Sequence, residues 1–386
     1  MTKIKTNRNN TNNVPPLRFP EFSGEWRYSL LGNECNILCG YPFDGQDMQE
    51  SSGNVKLLRG INITEGEIRH SNELDRYYSG DISKLGKYIL KEGDLVIGMD
   101  GSKVGRNSAI LTICEQGSYL VQRVCRIRSQ KHNVEYIFQH INNSKFHKYV
   151  DSIKTASAIP HISQSDIQDY TISFPPTAEE QIKITSLLSL LDARIATQNK
   201  IIEKLETLIK ALSHKLTTQQ RPNTRLKDCL THHSSTLLEN DVKGIGQYPV
   251  YGATGICGYM DKYEISGDSI LIIKDGASVG STAYATGRYS TIGTLNYLRT
   301  TQECYLLPYI YYSLKAFDFR PYITGMAIPH IYFKDYSKAK IWCPAVAEQK
   351  RIATTLRTMG TKLQIEHKIL RNLILQKQYL LSNLFI

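Results

Sequence analysis

The sequence predicts an α+β protein: two β-rich globular heads separated by two long helices that pair as an antiparallel coiled coil. Three observations carry the expectation. First, the passage AIPHISQSDIQDYTISFPPTAEEQIKI around His161 returns as AIPHIYFKDYSKAKIWCPAVAEQKRIA around His330, 169 residues on. That period is a whole domain plus a connector, far longer than the repeat of a solenoid. Second, each copy runs directly into a long heptad series of apolar residues. Third, the stretches ahead of both copies are short β-prone runs broken by Gly, Asp and Asn, without the long crossovers of a parallel sheet.

In chain order, residues 1–27 read as an Asn-rich basic arm followed by an extended lead-in, VPPLRFPEFSGEW at 14–26. The first head is expected over 28–176, with strands in VKLLRGINI (55–63), GDLVIGM (93–99), SAILTI (108–113) and YLVQRVCRIR (119–128), and one helix over 134–149. Pro175-Pro176 ends it. Thr177 then offers an N-cap with Glu180 three residues later, the spacing of a capping box. The first helical spacer, 177–220, has its seam at Ile184, Leu188, Leu191, Ile195, Ile202 and Leu205, continuing to Ile209, Leu212 and Leu216. Steps of four and three sustained this long require a partner helix.

The second head is expected over 221–345, with strands near 248–253, 269–276, 281–286 and 294–300 and a helix over 307–317. The second spacer, 346–386, repeats the seam at Ile352, Leu356, Met359, Leu363, Leu370 and Leu373. Polar Gln198 and Glu366 occupy the same register, the kind of pair that fixes alignment at some cost in stability. Gly360 and Lys377 are the two places where the second series looks interrupted.

With 386 residues there is room for several cores. A net charge of +11 favours polyanionic partners, nucleic acid first. No apolar run reaches the length that spans a bilayer, and no hydrophobic segment follows the basic start as in a secretory signal. The eight cysteines are scattered, without a CxxC pair or a finger-like ligand spacing, and read as the reduced thiols of a cytoplasmic protein. No metal site is expected.

Both heads contain Asp-Gly-[Ser/Ala]-x-Val-Gly, at 100–105 and 275–280. It reads as a strand-turn-strand corner in which glycine permits positive φ; a phosphate cradle is the alternative, although the GK[ST] ending of a P-loop is missing. No motif of a hydrolase, a Walker ATPase or an amino-methyltransferase is present, so no catalytic residue is assigned. His161 and His330, each after proline, read as capping or DNA-contact residues. The candidates for DNA contact in the first head are Lys56, Arg59, Lys103, Arg106, Arg123, Arg126, Lys154 and His161. In the second they are Lys274, Ser278, Arg288, Arg299, His330 and Lys334, among many tyrosines. Lys243 belongs to the same basic set.

Taken in this order, LRFPEF-x-GEW, GD…DGSKVG, YPVYGATGICGYMDKY with GDSILIIKDGASVG, and the two IPHI passages resemble the specificity subunit of a Type I restriction-modification system. The resemblance covers nearly the whole chain. It implies two target recognition domains that each read half of a bipartite site on double-stranded DNA, and helices that act as a ruler between them. It also implies two methyltransferase (modification) subunits and the translocase-nuclease (restriction) subunits as partners. The chain itself would be non-catalytic and bind no cofactor, S-adenosylmethionine, ATP and Mg²⁺ serving the assembled complex. Two other readings are a protein-binding scaffold with two heads on a coiled-coil rod and a self-contained nuclease. The nuclease would need a clustered carboxylate-lysine site that the sequence does not show.

Overall fold

The computed structural model describes residues 13–51, 55–242 and 244–386. The basic arm over 1–12 and Lys243 lie outside them. The chain divides into two compact units: one comprises the chain up to Ala196 together with Arg371–Ile386, the other Thr197–Leu370. Both boundaries fall inside the long helices, Ala178–Thr217 and Val346–Asn383, so each unit contains part of both.

The first unit is built on an antiparallel sheet with strand order 36–39, 124–128, 95–98, 108–110. A second sheet, ordered 48–49, 76–78, 55–58, 119–120, has one parallel pair, Leu57 with Tyr119. A ribbon of Arg27–Leu30 with Thr171–Phe174 closes the base. The second unit repeats the plan. Its first sheet runs 230–234, 295–300, 269–273, 282–285, all antiparallel. Its second runs 255–260, 248–252, 288–291, 265–266, again with one parallel pair. The ribbon pairs Thr224–Arg225 with Lys340–Ile341.

The single helix expected over 134–149 is two, Val134–Ile141 and Ser144–Ile153. Asn143 makes the break: its side chain accepts from the Lys145 N–H at 3.1 Å, capping the second helix, and donates to the Leu381 carbonyl at 3.0 Å. Asparagine competes with helix continuation in this way because its short amide mimics a backbone group.

Within each unit the two long helices run antiparallel. In the first, Ile184 and Leu188 share a core with Leu381, Leu384 and Phe385, and the Lys377 ammonium reaches Asp192 at 2.6 Å. In the second, Leu212 and Leu216 pack with Ile352, Ala353 and Leu356, while the buried Gln198 amide donates to the Glu366 carboxylate at 2.6 Å. Lys377 is therefore an ion-pair partner, not an interruption. The helix also passes through Gly360 unbroken.

The capping box at the start of the first long helix is half formed. Thr177 Oγ1 accepts from the Glu180 N–H at 3.3 Å. The Glu180 carboxylate, fully buried, instead takes two bonds from Arg18 of the lead-in, at 2.7 and 2.8 Å. Arg18 also donates to the carbonyls of Ser23 and Gly24, which pins the lead-in against the helix.

Candidate nucleic-acid interface

The two motifs that the sequence repeats come together in each unit. Asp100 bridges His161, and Asp275 bridges His330. Around each bridge the same bonds recur: Gly101 N–H to Pro160 O at 3.0 Å and Gly276 N–H to Pro329 O at 2.9 Å. Ile162 N–H meets Met99 O at 3.0 Å, and Ile331 N–H meets Lys274 O at 2.9 Å. The glycine N–H groups that a phosphate cradle would use at Gly101 and Gly276 are thus spent on the Ile-Pro-His loop. The glycines have φ of 89° and 103° there, and 70° and 84° at Gly105 and Gly280, a region that costs L residues energy. The corner is structural.

Both histidines are held by their own loops. His161 Nδ1 lies 3.0 Å from Thr155 Oγ1, and His330 Nδ1 lies 3.1 Å from the Ile328 carbonyl. Beside each, the loop presents aliphatic side chains to solvent: Ile159, and Met326 with Ile328.

The repeated glutamine also has a shared position. Gln181 Oε1 accepts at 3.3 Å from the N–H of Asn133, the residue preceding helix Val134–Ile141. Gln349 Oε1 accepts at 2.9 Å from the N–H of Leu306, the residue preceding helix Leu307–Ala316, and its amide donates to the carbonyls of Cys304 and Pro344. Three residues on, Tyr136 donates to Ser173 O at 2.8 Å and Tyr309 to Trp342 O at 2.6 Å. The glutamine bonds tie the head helix to the long helix, and the buried tyrosine bonds tie it to the ribbon segment, in both units. In the sequence the two glutamines lie 168 residues apart, one in each repeated passage.

The cations proposed for DNA contact divide sharply. In the first unit Lys56 pairs with Asp75 at 3.1 Å, in a network where His70 bridges Asp75 and the buried Glu115. Arg59 is half-buried, and burial with the nearby Arg76 charge pushes its pKa down. Lys103 pairs with Glu65 at 2.9 Å. Arg106 and Lys154 both hold Asp151, at 2.5 and 2.7 Å, and their hydrogen bonds lower that carboxyl to about 2. Arg123 is exposed, on a left-handed backbone with φ of 68°.

Arg126 is a correction. It lies in strand Val124–Arg128, between two neighbouring strands, and is buried. Its guanidinium bonds Asn36 Oδ1 at 2.5 Å and the Lys87 carbonyl at 3.3 Å. It serves the sheet and is not presented to a phosphate.

In the second unit Arg299 ties strands together through the Ser266 carbonyl (2.5 Å) and Ser269 Oγ (3.2 Å). Arg288 is exposed over the Tyr263 ring at 5.1 Å, beside Tyr248. Ser278 is exposed on the corner. Lys274 and Lys334 line a common cleft with His232, Ser234 and Asn296. Among the described residues none of these second-unit candidate cations has a carboxylate partner.

Along the long helices, Ile184, Leu188, Leu191, Ile202, Ile352, Leu356 and Leu373 are buried, and Ile195, Leu205, Met359, Leu363 and Leu370 half-buried. Off that stripe Ile182, Leu190, Ile201, Leu208, Ile365, Ile369, Leu375 and Tyr379 are exposed. Among the described residues no group of three or more His, Cys, Asp or Glu side chains is placed to hold a metal ion. Among the described residues no helix is long and apolar enough to cross a membrane. All eight cysteines are free thiols.

A duplicated α+β frame whose copies share a corner and a helix dock, but differ in the side chains mounted on them, defines a class. The chain belongs to the family described as Type I restriction modification DNA specificity domain, matched over residues 25–207 and 223–374. It is similar to the Type I restriction enzyme EcoBI specificity subunit of Escherichia coli, with 27% identity over 192 residues; the match covers 48% of this chain and 37% of that protein. Its fold is similar to the crystal structure of the Type-I restriction-modification system S subunit from M. genitalium. There the TM-score is 0.66 at 16% identity, covering 97% of this chain and 99% of that one. A chain solved in work on complex assembly and conformational transition of the type I R-M system is also similar, with a TM-score of 0.57 at 16% identity and 96% and 99% coverage.

Proposed function

We propose that this chain is the DNA-reading, non-catalytic subunit of a Type I restriction-modification complex, binding no cofactor of its own. Target recognition domains over 28–176 and 221–345 each read one half of a bipartite duplex site, and the helices over 177–220 and 346–386 set the interval between the halves. The observation that carries this reading is one frame used twice with different side chains. A reader of two unlike half-sites needs common scaffolding and separate reading surfaces. The basic excess supports a polyanionic partner. The exposed apolar residues of the long helices support docking of two modification subunits, to which translocase-nuclease subunits are added. Work of this kind belongs to the cytoplasm.

The test is modular. Residues 28–176 are exchanged for another head, and methylated motifs are read by sequencing the genome of a strain that also expresses the modification subunit. One half of the motif changes and the other stays; changes in both halves would refute independent heads. In the same assay, inserting four residues, about one turn, into both long helices lengthens the interval and leaves the half-site sequences alone. An unaltered interval would remove the ruler.

A further inference from the structure

The two units can be superposed residue by residue through their strand registers, because Cys39 faces Cys125 as Ser234 faces Asn296, and Ile37 faces Ile127 as His232 faces Leu298. Leu95 likewise faces Ile127 as Ile270 faces Leu298, which places Met99 where the second unit has Lys274. At one spot on this common frame the chemistry inverts. The first unit has Ile37, Cys39, Met99 and Cys125, three of them buried and all apolar or thiol. Cys39 Sγ touches Met99 Sδ at 3.4 Å. Gln164 then seals the strand edge, accepting from the Cys39 N–H at 3.0 Å and donating to the Ile37 carbonyl at 3.2 Å.

The second unit has His232, Ser234, Lys274 and Asn296 in the same four places. The residue replacing Gln164 is Phe333, which stacks on the His232 ring at 4.4 Å and 18°. A cleft of about 440 Å³ is left open, with Lys334 on its rim. Ser234 and buried Asn296 are bonded at 2.6 Å, which orients the amide. Lys334 lies over the Tyr332 ring at 5.2 Å. Asp275 is the only acidic residue lining the cleft, and it forms no ion pair with either lysine among the described residues.

We infer that this cleft is a phosphate site, seating one backbone phosphodiester of duplex DNA between Lys274 and Lys334, and that the first unit has no counterpart to it. The inference rests on the proposed function and adds a named contact. Two ammonium groups are mobile point charges suited to a phosphate, whereas reading a base edge favours a planar fork or amide. Because the Ser234 hydroxyl donates to Asn296 Oδ1, the Asn296 NH₂ is left as a donor toward the phosphate. Burial and the adjacent His233 lower the pKa of His232, so near pH 7 its stacked ring adds no charge to the cleft.

The experiment measures equilibrium binding of the full chain, assembled with its modification subunit, to a duplex carrying the methylated motif, across a range of salt. The variants are Lys274→Met (the first unit's residue), Lys274→Met with Lys334→Met, and Lys274→Arg. The salt slope is expected to fall by about one in the double variant, because a single phosphate loses its neutralising charge. Affinity is expected to drop about tenfold in the double variant at fixed salt, and Lys274→Arg keeps wild-type values. A duplex with one uncharged methylphosphonate at the seated linkage lowers wild-type affinity and leaves the double variant unmoved. Unchanged slope and affinity in the double variant, on a duplex the wild type binds specifically, overturn this site alone. Failure of the wild type to bind any duplex specifically overturns the reading beneath it as well. Inorganic phosphate that stabilises the full chain through Lys274 while duplex affinity is unmoved overturns the assignment to DNA.

Discussion

The first unit spends most of its candidate cations internally, Arg123 staying exposed, and the second leaves its own free of carboxylates. Lys56, Lys103, Arg106 and Lys154 are all paired with carboxylates, and Arg126 is buried in a strand. Lys274, Arg288 and Lys334 face aromatic rings or an open cleft. The first sheet and the Asp-Gly corner are common to both units, so at those places the contrast belongs to side chains. It teaches that a shared fold holds a surface in place without dictating how that surface is charged. A cation already satisfied by a carboxylate must give up that pairing before it can neutralise a phosphate, so the two units should differ in the salt dependence they contribute.

The comparison can be broken or sharpened by experiment. The largest effect should be common to both units. Gly105→Ala places a methyl 2.8 Å from Val150 Cγ2, and Gly280→Ala places one 2.8 Å from Phe319 Cβ, both on a left-handed backbone. Each substitution should cost about 3 kcal/mol, combining the αL penalty with overpacking. Urea unfolding of the two variants measures it. A near-zero cost in one would show that the corners are not equivalent.

A smaller effect should separate the units. His140 is buried against Phe385 (ring centroids 4.5 Å apart), and burial lowers its pKa to about 3. The matching position, four residues after the tyrosine that bonds the ribbon, is Ser313 in the second unit. The unfolded chain takes up the His140 proton near pH 6.5, and the folded unit refuses it until about pH 3. The unfolded state therefore holds more protons in that window, and stability rises with pH through it. Between pH 7 and pH 5 the first unit should lose about 2 kcal/mol from this group. The His140→Ser variant should show a pH dependence of unfolding smaller by that amount; equal dependence in variant and wild type would dismiss the assignment.

Much of the fold was legible because periodicity reports burial. The heptad stripe through Ile184, Leu188, Ile352 and Leu356 marks the positions that the packed helices cover. The Asp-Gly corner was legible too, since a left-handed backbone selects glycine. Arg126 was not, because strand alternation cannot tell an exposed face from one covered by Lys87 and Asn36. The cleft of the second unit also escaped notice. His232 with Ser234, and Asn296, come from two separate strands and Lys274 is the residue after a third, all far apart in the chain.

By itself the sequence determined the element types, the duplication, the seam and its polar register pair. These follow from local propensity and from spacing along one chain, which need no knowledge of what lies opposite. Only the tertiary structure decided that Glu180 answers Arg18 instead of Thr177, that Lys377 meets Asp192, and that one head is plugged with sulfur where the other opens between two lysines. The physical reason is that charge pairing and cavity formation depend on neighbours brought together across many residues, whose geometry no single segment encodes.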